Sequence, residues 1–142
     1  MLILLIRLMW IFALNLTFVI LPTLTAASTY DCSAKHGWVF SKDPETWVQN
    51  SRLLSANEVP KLLFKTLTDK AVVAVGEQQA ILLSEPWVLG SMTYFSYVDE
   101  IRFLSYDVTL NTDVFPFELE YRVSEERAEK RTLYYYNCYR RP

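Results

Sequence analysis

The chain contains a single histidine, His36, so any mechanism that needs an imidazole must use that position. A Ser-His-Asp or Cys-His arrangement would require it as the base. It stands beside Gly37, in a dipeptide that reads as the turn of a hairpin, where histidine is an ordinary surface residue. The two cysteines, Cys32 and Cys138, read as a disulfide rather than as nucleophiles, which leaves no free thiol. Zinc needs three or four nitrogen and sulfur ligands at short spacings, and one histidine with two distant cysteines does not supply them. Glu118 and Glu120 share one face of a predicted strand and could form a general acid/base pair. Their alternation with Phe117, Leu119, Tyr121 and Val123 instead marks them as the wet side of an amphipathic strand. Glu125 and Glu126 follow in a charged connector. The expected catalytic, cofactor-binding and metal-binding residues are therefore none.

Aromatic residues offer a different chemistry. Tyr94, Phe95 and Tyr97, and again Tyr134, Tyr135 and Tyr136, could form a platform on which bases or sugars stack. In strands such residues are more often core and cross-strand partners. Three consecutive tyrosines must point to both faces of a sheet, so at least one reaches solvent or an opposing loop. Gly76 and Gly90 are isolated turn glycines, not a phosphate-cradling loop. Arg140-Arg141 forms a small basic tip.

The elements that would position these groups begin with a hairpin, residues 29–35 and 38–40, about His36-Gly37. Asp43, Pro44 and Glu45 then carry helix-start chemistry: an N-cap, a first-turn proline and an acid at the positive end of the dipole. The predicted helix runs to about residue 56, with Trp47 and Leu54 on its buried side, and Pro60 blocks its continuation. Residues 61–67 fit either a second short helix or a strand. Segments rich in β-branched and aromatic residues follow at 71–75, 79–89, 92–98, 101–110 and 114–123, separated by turn signals. Pro116 places the start of the last of these at an edge or a bulge. Residues 124–130 read as a polar connector and 131–139 as a final aromatic strand. The expected fold class is α+β.

Residues 1–27 read as a secretory signal: Arg7 supplies the charge, 8–21 the apolar stretch, and Thr25-Ala26-Ala27 the small-residue site. The rival reading is an uncleaved membrane anchor, against which Pro22 and that site favour cleavage. The expected domain is then 28–142, a single core, secreted and not membrane-bound after cleavage. From 14 Lys and Arg and 16 Asp and Glu, loss of Arg7 leaves a net charge of −3. That balance disfavours nucleic acid, whose binders are usually basic. The sequon Asn15-Leu16-Thr17 falls within the signal, and no other is present. A cross-link from Cys32 to Cys138 would close a loop of about 105 residues and restrict the unfolded chain by roughly 4.7 kcal/mol.

The signal, Tyr30-Asp31-Cys32 directly after it, the hairpin, one helix, antiparallel strands and a near-terminal Cys138 together resemble a known family. It is the group of ribonuclease-like effectors, including avirulence proteins, that cereal powdery mildew fungi secrete. The resemblance implies a small fungal ribonuclease fold, with one helix packed on a curved antiparallel sheet and a terminal disulfide. Active members of that fold use a glutamate base, a histidine acid on a late strand and an arginine near the phosphate. This chain has no histidine in its late strands, so the resemblance implies a non-catalytic scaffold. It further implies a monomer that binds a host plant protein, is recognised by an immune receptor and is translocated into host cells, with RNA binding disfavoured by charge. The alternatives are an active secreted ribonuclease drawing on Glu118 or Glu120, and a generic extracellular binding module.

Overall fold

The structure is a computed structural model that describes residues 27–43, 45, 49–84 and 86–142. Most of the predicted signal, residues 1–26, and the predicted helix residues Pro44 and Trp47 lie outside them. The described chain folds as ten strands and contains no helix. They are β1 (Ser28–Lys42), β2 (Gln49–Leu54), β3 (Leu62–Thr66), β4 (Ala71–Val75), β5 (Ile81–Leu83), β6 (Trp87–Leu89), β7 (Met92–Asp99), β8 (Leu104–Asn111), β9 (Phe117–Glu125) and β10 (Lys130–Arg140). All belong to one antiparallel sheet in the order β5-β4-β3-β1-β10-β9-β8-β7-β6, with β2 paired to the second half of β1. The sheet curls into a half-barrel, and one hydrogen bond, Ser84 N–H to Ser96 O at 2.9 Å, stitches its two ends together.

The α+β expectation is thus corrected to all-β, and with it the ribonuclease-like architecture of a helix on a sheet. Residues 49–54 pair with β1 from Gly37↔Leu54 to Lys42↔Gln49. Only Leu54 of that strand is buried. A helix here would present one apolar anchor to the core, whereas the strand also satisfies its backbone against β1. The cap chemistry is real: Asp43 Oδ1 accepts from Glu45 N–H at 2.8 Å, an Asx turn, and the described chain resumes at Gln49 as strand β2. The undecided segment 61–67 resolves as β3.

The predicted hairpin at His36-Gly37 is also corrected. β1 runs straight through both residues, and its register against β10 slips by one at Lys35, between Ala34 and His36. This is a β-bulge. Gly37 is required for close packing rather than for a turn: a Cβ there would lie 2.9 Å from Leu133 O and 3.3 Å from Leu54 Cδ1. The predicted strand 79–89 is divided into β5 and β6, because its first part pairs with β4 and its last with β7. Ile101 to Phe103 and Val114 to Pro116 form turns outside β8 and β9.

Period-two alternation puts the core inside the curl. Phe64, Val73, Phe95, Val108, Leu119, Tyr121 and Tyr136 are buried in one cluster, and the alternating residues look outward. Cys32 and Cys138 stand opposite each other in the β1–β10 register and form the disulfide, S–S 2.05 Å. The predicted bridge is therefore present, and it joins the central pair of strands.

Candidate interaction face

The motif residues Tyr30-Asp31-Cys32 serve closure. The Tyr30 ring is buried against Phe64 at 5.4 Å. Asp31 takes both oxygens to the Arg141 guanidinium, one through Nη2 and the other through Nε at 2.7 Å. That cation holds the Asp31 carboxyl below its ordinary range. Arg141 N–H also donates to Thr29 O at 2.8 Å, so first and last strands are fastened by a disulfide, an ion pair and a backbone bond. These residues hold the ends together, and they border an open depression of about 670 Å³.

His36, freed from the turn that the sequence suggested, lies in mid-strand on the outer face. Register carries it into a row that spans six strands: His36↔Tyr135↔Glu120↔Thr109↔Tyr94↔Trp87. Beside it runs a second row: Leu53↔Trp38↔Leu133↔Arg122↔Asp107↔Ser96. Aromatic pairs stand at each end of the first row. His36 stacks on Tyr135 with centroids 4.7 Å apart, and Trp87 lies against Tyr94 at 5.1 Å. Trp38 stacks on Phe40 at 6.1 Å along the same strand. Between the pairs lie two shallow depressions, of about 310 and 340 Å³, that meet at Thr109.

The polar groups of this face hold one another in place. Arg122 Nη2 donates to Glu120 Oε1 at 2.8 Å, and Lys35 Nζ to Glu118 Oε1 at 3.0 Å. Arg122 Nε is buried without a hydrogen-bond partner. Burial raises the pKa of Asp107, with Arg122 and Arg131 opposing the shift. Burial likewise raises that of Tyr135, and the charge of Glu120 adds to it. Lys35, Arg122 and Arg131 balance Glu118, Glu120 and Asp107, so the face carries no net charge. Among the described residues no carboxylate bonds to His36, and the nearest in its row, Glu120, lies beyond Tyr135 and engages Arg122. The acid–base pair that Glu118 and Glu120 could form is likewise committed, each carboxylate to its own cation.

The predicted platform residues separate by face. Tyr94 and Tyr135 are on the outer rows, Phe95 and Tyr136 are in the core, and Tyr134 stacks on Tyr121 inside at 6.3 Å. Tyr136 is the tyrosine that reaches an opposing loop, its hydroxyl donating to Pro60 O at 2.9 Å. Sequence reasoning passed over Trp38, Phe40 and Trp87. The i, i+2 spacing of Trp38 and Phe40 was the available signal for one shared face.

No protein-family model, no curated protein and no solved structure matches this chain. Fold and face together define a disulfide-tied, all-β half-barrel with a charge-balanced aromatic outer surface.

Proposed function

We propose that this protein is a secreted, non-catalytic binding module that acts as an effector, engaging a host plant protein through the two outer rows. The observation that carries this reading is the composition of the face. Trp38, Trp87, Tyr94, Tyr135 and Arg122 are the residue types that anchor protein interfaces, and strands hold them rigidly. Their setting is balanced in charge, as the centre of a protein interface tends to be, whereas a phosphate backbone would call for an excess of cations. The effector part of the reading rests on the resemblance in Tyr30-Asp31-Cys32 and Cys138. The ribonuclease scaffold no longer supports it.

The test is expression of residues 28–142 in leaves beside candidate immune receptors, with cell death as the readout. Tyr135→Ala and Trp87→Ala, each shown by circular dichroism to be folded, are expected to abolish the response that the unaltered chain elicits. A full response from both folded variants would overturn the assignment of the face. Cleavage of single-stranded RNA that disappears in Glu120→Gln would overturn the non-catalytic reading.

A further inference from the structure

A larger cavity, of about 760 Å³, lies away from the outer rows, where the two ends of the half-barrel part. β6 pairs with β7 only from Met92 to Tyr94, and β5 pairs only with β4. Beyond the stitch from Ser84 to Ser96, the edge of β7 from Tyr97 to Asp99 has no strand partner among the described residues. Tyr97, Asp99 and Arg102 therefore line a slot together with Gln79 and Ile81, and Leu104, Tyr106, Val123 and Glu125 of β8 and β9 add to its lining. Its size suits a small organic molecule, and the mouths of β-barrels are common sites for one.

The chemistry of the lining is divided. One part is apolar and flat: Ile81, Leu104 and Val123 beside the rings of Tyr97 and Tyr106, which stack at 6.1 Å and 25°. The other part is acidic. Asp99 and Glu125 border the cavity, and their own cations are loosely placed, Arg102 Nε and Lys130 Nζ each at 3.7 Å. Those separations exceed hydrogen-bond length; Asp99 Oδ1 accepts from Arg102 N–H at 3.0 Å, and the remaining lone pairs of the two carboxylates keep acceptor capacity. Arg102 also lines the cavity, with its side chain three-quarters exposed (75%). The charges reach the interior: burial raises the pKa of the Tyr106 hydroxyl, Asp99 raises it further, Arg102 opposes the shift, and Glu125 adds to it.

We propose that this cavity binds a small aromatic amine, its ring against Tyr97 and Tyr106 and its protonated nitrogen between Asp99 and Glu125. A cation here gains charge-assisted hydrogen bonds to the acids and attraction to the tyrosine faces. A carboxylate in the same place would meet two like charges against the one lining cation, Arg102, and a neutral head would gain no charge-assisted bond.

Three probes with similar bodies separate these cases in a calorimetric titration of the folded chain: phenethylamine, phenethyl alcohol and phenylacetate. The amine is expected to bind at least about tenfold tighter than either of the others, the margin that a charged hydrogen bond supplies. Asp99→Asn should remove most of that margin. Val123→Trp should fill the slot and eliminate amine binding. Equal binding of the three probes, tighter binding of phenylacetate, or no binding of the amine at millimolar concentration would each overturn the proposal. So would unchanged amine affinity in Asp99→Asn, which needs no core change to fold.

Discussion

Tyr121 and Tyr136 are both almost fully buried, and their hydroxyls meet opposite fates. Tyr136 donates to Pro60 O, whereas the Tyr121 hydroxyl has no partner. A buried hydroxyl without a bond costs about 1–3 kcal/mol, and a made bond contributes roughly 1 kcal/mol net. Tyr136→Phe should therefore lower the free energy of unfolding by about 1–2 kcal/mol, and Tyr121→Phe should leave it unchanged or raise it. Urea denaturation of the two variants decides this, and a larger loss in Tyr121→Phe would contradict it. Both phenols also have their pKa raised above the ordinary 10.0, chiefly by burial, and burial raises those of Tyr134 and Tyr106 as well. Each therefore binds its proton more tightly folded than unfolded. The resulting stability is fully present below pH 10.0 and is lost as pH rises above it toward the folded pKa values. The melting temperature should fall steeply once pH exceeds 10.0. A melting temperature that holds steady or rises across that range would contradict the sign. At this scale the sequence was informative for β9: its alternation correctly put Leu119 and Tyr121 inside and Glu118, Glu120 and Arg122 outside. The neighbours of these residues across the sheet were not legible. His36 meets Tyr135 from 99 positions away, through a register that only strand pairing sets.

Between elements, the critical contact is where β2, β1 and β10 approach one another at Gly37. Local signals there pointed to a turn at His36-Gly37 and a helix from Asp43, and each misled for a definite reason. A glycine in a strand can mark close backbone approach as readily as a turn, and Asp before Pro and Glu can close a single Asx turn. What decides between these outcomes is the partner strand, 96 and 97 positions downstream of Gly37 at Leu133 and Tyr134. Gly37→Ala would place its new methyl 2.9 Å from a backbone oxygen that cannot swing aside. A loss of about 1–3 kcal/mol is expected, typical of overpacking. Leu54→Ala, on the facing strand, should cost about 2–5 kcal/mol, because the side chain is only 4% exposed. Backbone hydrogen exchange should report the same event as faster exchange confined first to β2 and its partner residues in β1. Protection in β2 that survives Gly37→Ala would show that the approach is looser than the geometry implies.

For the molecule as a whole, the question is what the terminal cysteines accomplish in a sheet that already brings β1 and β10 together. The two strands pair from Tyr30↔Arg140 to Ser41↔Lys130, so the fold does not depend on the bridge to bring its ends into register. The bridge acts instead on the unfolded chain, where residues 106 apart would otherwise separate freely. That Cys32 and Cys138 form a bridge was legible from the sequence alone, because the pairing does not depend on fold class. The inference from the same cysteines to a ribonuclease frame failed, because a Tyr-x-Cys closure can fasten any fold whose first and last strands are neighbours. Replacing Cys32 and Cys138 together with Ser should therefore keep the β-sheet spectrum and lower unfolding free energy by roughly 2–4 kcal/mol. The loss should appear in the denaturation midpoint of the oxidised protein, and reduction of the unaltered chain should reproduce it. If the double variant lost its sheet altogether, the bridge would be holding the strands in register and the pairing of β1 with β10 would not be sufficient by itself. If its midpoint matched that of the oxidised parent, the cross-link would not constrain the unfolded chain, and the fastening of the ends would fall to Tyr30 and the Asp31–Arg141 pair.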